Sequence, residues 1–401
     1  MKLLSVAMIH RRLLPITLAF ANLLLCVGLS TAFAQAPLLT EKRIFSLASY
    51  TTVGGKTIKD VRVGYETYGT LNAAGDNAVF IAHFFSGNSH AAGRYKADDK
   101  AAGYWDAIIG PGKAIDTNKY MVISADVLAN LNTKDPNTIT TGPASINPDT
   151  AKPYGMSFPV VTPRDFVRVH KALVDSLGVR KLKAAGGASG GAIQAMEWAA
   201  LYPDFVERVI HVVGPGFDIH PYVIGLLDLW HQPIMLDPKW NAGDYYGKAE
   251  PVDGLAHALK AVSLTALHFG WAEKVHGYKI GTEGKNPLDA MGNLFSIQAG
   301  LNASGQARAK STDANSVIYA SKAYQLYNLG DDVRRIKAKV LLVPAKTDLI
   351  FPPELSRRAM ERLRAQGSAV EMFEIEGSSG HLDGIFSIGK AAEAIRTFLD
   401  K

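Results

Sequence analysis

Cysteine is almost absent from this sequence, because Cys26 is the only cysteine among 401 residues. A single cysteine excludes an intramolecular disulfide and a metal site built from several thiolates. A hydrophobic core must therefore stabilise the fold, and a chain of this length can bury a large one. Hydrophobic residues make up 47% and charged residues 20% of the sequence, which is typical of globular proteins.

Several other signatures are also missing. The sequence contains no internal repeat and no low-complexity segment, and no glycine-rich phosphate-binding motif stands between a strand and a helix. Basic residues do not cluster as they do on a nucleic-acid-binding face, and the short runs at 357–358 and 362–364 indicate a solvated helix. The histidines lack the spacing of a compact metal motif. We therefore predict no cofactor, no metal and no nucleic-acid partner. The residues that come closest to a metal-ligand set are His83, His90, Asp98 and Asp99.

The first 34 residues have the layout of a secretory signal peptide. A basic start is followed by an apolar run at residues 13–29 and by the small-residue pattern Ala32-Phe33-Ala34. We predict cleavage after Ala34 and a periplasmic or secreted protein that does not associate with a membrane. An uncleaved membrane anchor is the alternative, although an apolar run that spans a bilayer needs about 20 residues.

Cleavage would change the chemistry of the remaining chain. Cys26 lies within residues 1–34 and would be removed, so no thiol would remain. The net charge of +6 would fall to +3, because this segment holds three basic residues and no acidic ones. The full sequence therefore overstates how basic the exported protein is.

Strand-like and helix-like segments alternate in the first half of the remaining chain, which predicts an α/β sheet. The segment from 216 to 335 has helical apolar spacing with little strand character, and the alternation resumes after it. We therefore predict a signal peptide at 1–34, the first part of an α/β core at 35–215, a helical cap at 216–335 and the second part of the core at 336–401. The predicted strands are 43–53, 59–68, 77–83, 119–125, 181–186, 206–213, 338–344 and 369–375, and the predicted helices are 165–177, 190–201, 222–230, 254–268, 314–328, 353–366 and 387–399.

A nucleophile motif stands between a predicted strand and a predicted helix. Residues 187–191 read Gly-Ala-Ser-Gly-Gly and fit G-x-S-x-G, in which small neighbours let the backbone turn sharply and expose the serine hydroxyl. A glycine-rich turn with an incidental serine is the alternative, because the pattern alone is short. The strand before it and the helix after it favour Ser189 as a nucleophile.

Two further residues complete a candidate catalytic triad. Asp348 follows the predicted strand at 338–344, and His381 follows the last predicted strand. Taken singly, the aspartate could form a turn or cap a helix, and the histidine could be structural. The order serine, acid, histidine, with each residue beyond the end of a strand, is the order of the α/β-hydrolases. His381 would take the proton of Ser189, and Asp348 would orient the imidazole.

Acyl transfer through a serine also needs two N–H donors aimed at the oxyanion. One should be the backbone N–H of Gly190, which directly follows the nucleophile. The second should come from the loop after the strand that ends at His83. We predict the N–H of Phe85 for this role, with Phe84 as the next choice.

Several segments resemble the homoserine O-acetyltransferase family of α/β-hydrolases. The resemblance covers most of the chain after the signal peptide, and it places the family's catalytic residues on Ser189, Asp348 and His381. It implies an α/β-hydrolase fold, with a mostly parallel sheet flanked by helices and an inserted helical cap over the catalytic pocket. The segments that carry the resemblance are 86–93, 105–117, 191–198, 237–240, 254–256 and 313–316.

The sequence departs from that family at residues that would hold an amino-acid substrate. Leu259 stands where the family usually has an arginine, and Leu382 stands where it usually has an aspartate. Gly190 replaces the methionine that tends to follow the nucleophile. Burying the charges of an amino acid against two leucines would be costly, so homoserine is not the expected substrate. We expect Leu259 and Leu382 to line an apolar pocket together with Phe84 and Phe85.

The leading hypothesis is an exported serine hydrolase that cleaves a carboxylic ester, or an amide or lactone, of a fairly apolar acid or alcohol. Export would separate the enzyme from acyl-CoA and make water the abundant acceptor. One alternative is an acyltransferase of the resembling family with an unknown acceptor. Another is a catalytically silent binding protein that keeps the fold. The expected partner is a small ester-type molecule, and the resemblance leaves a homodimer open.

Overall fold

An eight-stranded sheet forms the centre of the fold. The computed structural model describes residues 37–401, so the predicted signal peptide at 1–34, which contains Cys26, lies outside the described residues. Two short ribbons, 109–110 with 115–116 and 146–147 with 152–153, pair outside the main sheet. The strands of the main sheet, in chain order, are β1 Arg43–Thr51, β2 Thr57–Tyr68, β3 Ala78–Ala82, β4 Met121–Ala125, β5 Leu182–Ala188, β6 Arg208–Val212, β7 Lys339–Val343 and β8 Val370–Met372.

The order of the strands across the sheet is β1-β2-β4-β3-β5-β6-β7-β8. The pairs β1–β2 and β2–β4 are antiparallel, and all the other neighbours are parallel. The carboxyl ends of β3 and of β5 to β8 therefore meet at one edge of the sheet, which is where α/β proteins bind their ligands. The prediction of a mostly parallel α/β-hydrolase sheet is confirmed.

The central strands are apolar on both faces because helices cover both sides of the sheet. All five residues of β3 are buried. Phe80 packs into one hydrophobic cluster, while Val79 and Ile81 pack into the other, as the alternation of side chains along a strand requires. The outer strands β1 and β2 form the predicted hairpin, with Thr51 opposite Thr57.

The helices surround the sheet and form the cap. In α1, the hydroxyl of Thr162 accepts the N–H of Asp165 while the carboxylate of Asp165 accepts the N–H of Thr162, which is a capping box. None of the helices within residues 37–401 is long and apolar enough to cross a membrane. The α-helices, in chain order, are α1 Pro163–Ser176, α2 Gly190–Leu201, α3 Pro221–Leu236, α4 Val252–Ala266, α5 Phe269–Val275, α6 Ser296–Ala309, α7 Ala314–Gln325, α8 Pro353–Ala365, α9 Asp383–Phe386 and α10 Ala392–Asp400.

The chain leaves the sheet after β6 and returns to it at β7, and the helices α3 to α7 lie between these strands. Within this insertion, α4 packs against both α3 and α6. A separate hydrophobic cluster joins the helices and includes Ile234, Leu255 and Val317. The sequence pattern predicted α3, α4 and α7 but did not predict α5 or α6.

A buried polar network fixes the loop that follows β3. Lys42 forms ion pairs with Glu66 at 3.0 Å and with Asp126 at 3.6 Å, and both carboxylates are fully buried. Asp126 accepts the N–H of Ser89 at 2.7 Å, and Glu66 is hydrogen-bonded to the ring of His90 at 2.9 Å. Burial raises the pKa of Asp126 to about 6, even though Lys42 acts in the opposite direction. For Glu66, burial is outweighed by His90 and Lys42, so its pKa lies below its ordinary value.

Replacing Lys42 by methionine should destabilise the fold, because two buried carboxylates would lose their cation. Removing one partner of a buried ion pair costs about 3–5 kcal/mol. The loss should be larger at pH 8 than at pH 5.5. Without Lys42, the pKa of Asp126 in the folded protein should rise further above its value in the unfolded chain. A carboxyl group with a raised pKa in the folded state lowers the free energy of unfolding as the pH increases from the unfolded pKa to the folded one. Urea unfolding at both pH values measures the difference.

The matched control is Lys56→Met, which removes an exposed lysine from the β1–β2 turn. Its free energy of unfolding should change by less than about 0.5 kcal/mol at either pH. A loss in Lys42→Met that is equal at pH 5.5 and pH 8 would contradict the assignment of this lysine as the counter-ion of the buried carboxylates.

Candidate active site

Ser189 lies on a sharp turn between β5 and α2. Its backbone has φ 57° and ψ −116°, a conformation that residues with side chains rarely adopt and that stores strain. The N–H of Ser189 donates to the carbonyl of Val212 at 2.9 Å, and its carbonyl accepts the N–H of Ile193 at 3.1 Å. The turn therefore has the form expected of a nucleophile elbow.

The glycine at position 191 lets α2 begin directly against the end of β3. A Cβ atom on Gly191 would collide with the carbonyl oxygen of Ala82. Any side chain at this position would push the helix away from the sheet and would move Ser189 with it. Close packing of helix and strand therefore explains the last glycine of the G-x-S-x-G pattern.

Asp348 and His381 form a buried hydrogen-bonded pair. Oδ2 of the aspartate lies 2.7 Å from Nδ1 of the histidine, and neither residue is more than 4% exposed. The other carboxylate oxygen accepts the N–H groups of Ile350 at 2.8 Å and of Phe351 at 3.0 Å. The carboxylate is therefore held from both sides, so it can orient the imidazole and leave Nε2 available for proton transfer.

Ser189 and His381 line the same cavity at the carboxyl edge of the sheet. Within residues 37–401, the hydroxyl of Ser189 makes no hydrogen bond to the ring of His381. Catalytic hydrogen bonds are often long without substrate and shorten in the complex. The structure thus brings the three predicted triad residues to one place, while their catalytic roles stay a prediction.

Two backbone N–H groups beside Ser189 are free to bind an oxyanion. Within the described residues, the N–H groups of Phe85 and Gly190 donate no hydrogen bond. Gly190 is the first residue of α2, where N–H groups have no partner within the helix. Phe85 and Gly190 also line one small void together with Ser189, whereas Phe84 does not. This arrangement favours Phe85 over Phe84 as the second donor.

A cavity of about 460 Å³ connects Ser189 with the helices of the cap. Phe84, Phe85 and Leu382 line it, as expected from the sequence. The helices α3, α4, α5 and α6 contribute further aliphatic and aromatic side chains to the wall, and others come from Ile350, Ile385 and Phe386 outside the cap. A mostly apolar chamber with a few polar groups at defined places is typical of small-molecule sites.

Leu259 does not line this cavity, so that part of the prediction is wrong. Its side chain is fully buried in the cluster that joins the cap helices. The residues of α4 that line the cavity are Val262, Ser263 and Ala266, which follow on the same helical stripe. Leu259 lies one turn earlier, and its backbone carbonyl accepts hydrogen bonds from two cavity residues, Arg308 at 3.3 Å and Ser263 at 2.9 Å.

Several cavity residues carried no signal in the sequence. Arg308 is the most polar of them, and its Nη1 also donates to the hydroxyl of Ser263 at 2.8 Å. It lies on α6, whose sequence is rich in Ala, Gly, Ser and Gln and lacks a clear apolar stripe. Hydrophobic periodicity could therefore not predict the helix or the direction of this side chain. The others from the cap include Trp230, Trp271, His276, Leu301 and Ser304.

A second void of only about 20 Å³ adjoins Ser189. Tyr324 limits it, because a Cβ atom on Gly190 would lie 2.5 Å from the tyrosine hydroxyl oxygen. Tyr324 is buried, and its hydroxyl has no hydrogen-bond partner within residues 37–401. The void has room for about one water molecule. The aromatic side chain therefore fills the space that a larger residue at position 190 would need.

The histidines of the β3 loop have structural partners. Nδ1 of His83 is 2.8 Å from the carbonyl of Phe84, and Nε2 is 3.2 Å from the amide nitrogen of Asn130. Burial lowers the pKa of His83 to about 4, so the ring is neutral at physiological pH. His90 bonds to Glu66 in the network described above. In the part of the chain that the structure describes, no group of three or more His, Cys, Asp and Glu side chains is arranged to hold a metal ion.

Comparison with known sequences gives the family. The family described as the α/β hydrolase fold matches residues 101–387 of this chain. A homoserine O-acetyltransferase from Symbiobacterium thermophilum is 38% identical over 379 residues, which cover 91% of this chain and 96% of the relative. A homoserine O-acetyltransferase from Deferribacter desulfuricans is 36% identical over 354 residues, which cover 86% of this chain and 92% of the relative.

Two solved structures of similar sequence share the whole fold. The crystal structure of esterase E22 is similar with a TM-score of 0.86 at 47% identity, and the match covers 90% of this chain and 100% of the esterase. The homoserine O-acetyltransferase from Bacillus anthracis has a TM-score of 0.86 at 37% identity, covering 90% of this chain and 98% of the other. The sheet order, the helical insertion and these similarities agree, and the chain therefore belongs to the homoserine O-acetyltransferase-like family of the α/β-hydrolases.

Proposed function

We propose that this protein is a serine hydrolase that forms an acyl-enzyme intermediate and whose main reaction is the hydrolysis of a small carboxylic ester. One observation carries the proposal. His381, which is hydrogen-bonded to the buried Asp348, lines the same cavity as Ser189 on its strained turn. A buried carboxylate, an oriented imidazole and a serine at a sharp turn are the parts that nucleophilic acyl chemistry requires.

The reaction would have two steps. His381 takes the proton of Ser189 as Oγ attacks the ester carbonyl, and the N–H groups of Phe85 and Gly190 stabilise the oxyanion. The imidazolium then protonates the leaving alcohol as its C–O bond breaks, and the acyl group stays on the serine oxygen. In the second step, His381 removes a proton from water as the water attacks the acyl-enzyme. The carboxylic acid leaves, and the proton returns to Ser189.

The acyl acceptor separates this proposal from a second candidate function. The curated relatives are homoserine O-acetyltransferases, and they support acyl transfer more strongly than they support the exported esterase expected from the sequence. By contrast, the crystal structure with 47% identity is that of an esterase. Both functions share the acyl-enzyme on Ser189 and differ only in the molecule that attacks it.

The cavity supports water as the acceptor over an amino acid. Within the described residues, no aspartate or glutamate lines it, so an ammonium group there would lose its hydration without gaining a carboxylate partner. Leu382, directly after the proposed base, contributes an aliphatic side chain to the wall. Hydrolysis requires only that water reaches the ester carbonyl. If the second candidate function, acyl transfer, is the correct one, this cavity would favour an acceptor alcohol without an ammonium group.

Export would also favour water as the acyl acceptor. The basic, apolar and small-residue order of residues 1–34 supports cleavage after Ala34 and a periplasmic or secreted enzyme. Acyl-CoA is a cytoplasmic donor, whereas simple esters and water are available outside the cytoplasm. We therefore propose an exported esterase with no cofactor, acting on a small-molecule ester.

Purified protein beginning at Gln35 should hydrolyse p-nitrophenyl esters of short acids. Ser189→Ala should lower kcat by about 10⁶-fold because no acyl-enzyme can form, and Asp348→Asn should lower it by about 10⁴-fold because the imidazole would lose its oriented tautomer. Release of p-nitrophenol measures the rates. A fluorophosphonate should label the unchanged protein and should not label Ser189→Ala.

The control is Ser176→Ala, which removes a serine at the end of α1 that does not line the cavity and should stay within about threefold of the parent. Labelling of Ser189 without turnover of any ester would argue against hydrolysis and for acyl transfer. Absence of both labelling and turnover would instead identify a silent binding protein.

Gly190→Ala should impair the enzyme because its Cβ would lie 2.5 Å from the hydroxyl oxygen of Tyr324. The clash would shift an oxyanion donor, so kcat/KM for p-nitrophenyl acetate should fall about 10- to 100-fold. Adding Tyr324→Leu should restore most of this loss, and Tyr324→Leu alone should raise the rate for butyrate relative to acetate. A double-mutant cycle measures the coupling. Equal losses from Gly190→Ala in both backgrounds would show that Tyr324 does not limit this space.

A further inference from the structure

Arg308 brings a positive charge to the wall of the large cavity. Its Nη1 donates to the carbonyl of Leu259 at 3.3 Å and to the hydroxyl of Ser263 at 2.8 Å. Both acceptors belong to α4, so these bonds fix the guanidinium between two helices of the cap. An arginine carries five N–H donors, and only two of them are used here. Within residues 37–401, Nε and Nη2 have no hydrogen-bond partner.

No negative charge balances this guanidinium. In the part of the chain that the structure describes, no carboxylate lies within 4.0 Å of Arg308, and none lines the cavity. Burial alone lowers the pKa of Arg308, without the opposite effect of a neighbouring acid. Arginine nevertheless keeps its charge in proteins. A partly buried cation without a counter-ion is costly, and a bound anion would offset that cost.

The rest of the cavity fits a molecule with one anionic end and an otherwise apolar body. Trp230, Val262, Trp271 and Leu301 supply large apolar surfaces. Ser304, one helical turn before Arg308, adds a hydroxyl to the wall near the guanidinium. A planar guanidinium with free donors on Nε and Nη2 has the geometry that binds a carboxylate through two parallel hydrogen bonds.

We propose that Arg308 is a substrate-binding residue and that the preferred substrate is an ester with a free carboxylate and no ammonium group. Ser189 attacks the ester carbonyl, and the guanidinium of Arg308, which lines the same cavity, holds the carboxylate. This inference rests on the proposed function, because it assigns the substrate class of the same site. The carboxylate belongs either to the acyl half or to the alcohol half of the ester.

Two matched substrate pairs test the proposal and distinguish these halves. In the first pair, monoethyl glutarate is compared with ethyl glutaramate, so the acyl half carries a carboxylate or a neutral amide. In the second pair, 4-acetoxybutanoate is compared with 4-acetoxybutanamide, so the alcohol half carries the difference. Acid release at constant pH gives kcat/KM. We expect at least one carboxylate to be preferred over its amide by about tenfold or more, as for a hydrogen-bonded charged group.

Arg308→Met should remove that preference. The rate for the preferred carboxylate should fall about 10- to 100-fold, while the rate for its amide should change by less than about threefold. Arg308→Lys should restore part of the preference, because it keeps the charge but loses the bidentate geometry. The matched control is Lys260→Met, which removes a cation and a 2.8 Å hydrogen bond to Asn302 between the same two helices. Lys260 does not line the cavity, so the preference should survive.

A binding measurement separates failure of this inference from failure of the proposed function. Calorimetry with Ser189→Ala, with and without Arg308→Met, compares the affinities for the carboxylates and amides without turnover. Carboxylate-selective binding that depends on Arg308, with no ester hydrolysed by the parent, would overturn the esterase proposal and uphold the anion site. Hydrolysis of all four esters without carboxylate preference, or an equal loss for both members of a pair in Arg308→Met, would overturn the anion site.

Discussion

The arrangement of the site depends on one backbone constraint, the turn at Ser189. A residue with a side chain pays about 1–3 kcal/mol to adopt such a conformation, so the surrounding structure must hold it there. Two features do so: β5 lies between parallel neighbours at the centre of the sheet, and Gly191 lets α2 start against β3. The other candidate catalytic residues are then placed relative to a fixed serine. The strands β7 and β8 end at the same edge, which brings Asp348 within hydrogen-bonding distance of His381, the member of the pair that lines the cavity.

The helices of the cap line the large cavity that Ser189 adjoins. The α4 helix joins α3 and α6, and the large cavity lies beneath them, with aromatic walls and the guanidinium of Arg308. In the small void that also adjoins Ser189, Tyr324 leaves space for little more than one water molecule. Ser189 therefore adjoins a large cavity that contains one guanidinium and a second void that is nearly closed. Under the proposed function, charge and volume in the cavity would select the substrate, and residues at the edge of the sheet would carry out the chemistry.

The sequence pattern predicted the sheet, and it selected three candidate triad residues that the structure brings to one place. Buried parallel strands are continuous apolar runs, and glycines around a serine at a strand end indicate an elbow, so β3, β5 and Ser189 could be placed by pattern. The cap could not be resolved in this way. Leu259 lies on the same stripe of α4 as the residues that line the cavity, but one turn before them. Where the cavity ends along this stripe depends on how the cap helices pack. Arg308 lies on a helix without apolar periodicity, so only the structure brings it to the cavity.

The central claim is that the acyl group on Ser189 passes to water and not to an amino acid. The most direct measurement supplies p-nitrophenyl acetate to the purified enzyme in the presence of increasing homoserine and quantifies acetate and O-acetylhomoserine. Acetate should remain the product, and its rate of formation should not change with homoserine, because within residues 37–401 no carboxylate lines the cavity to bind the ammonium group of homoserine. Capture of most of the acetyl group by homoserine, with a matching fall in acetate, would contradict the central claim and establish acyl transfer.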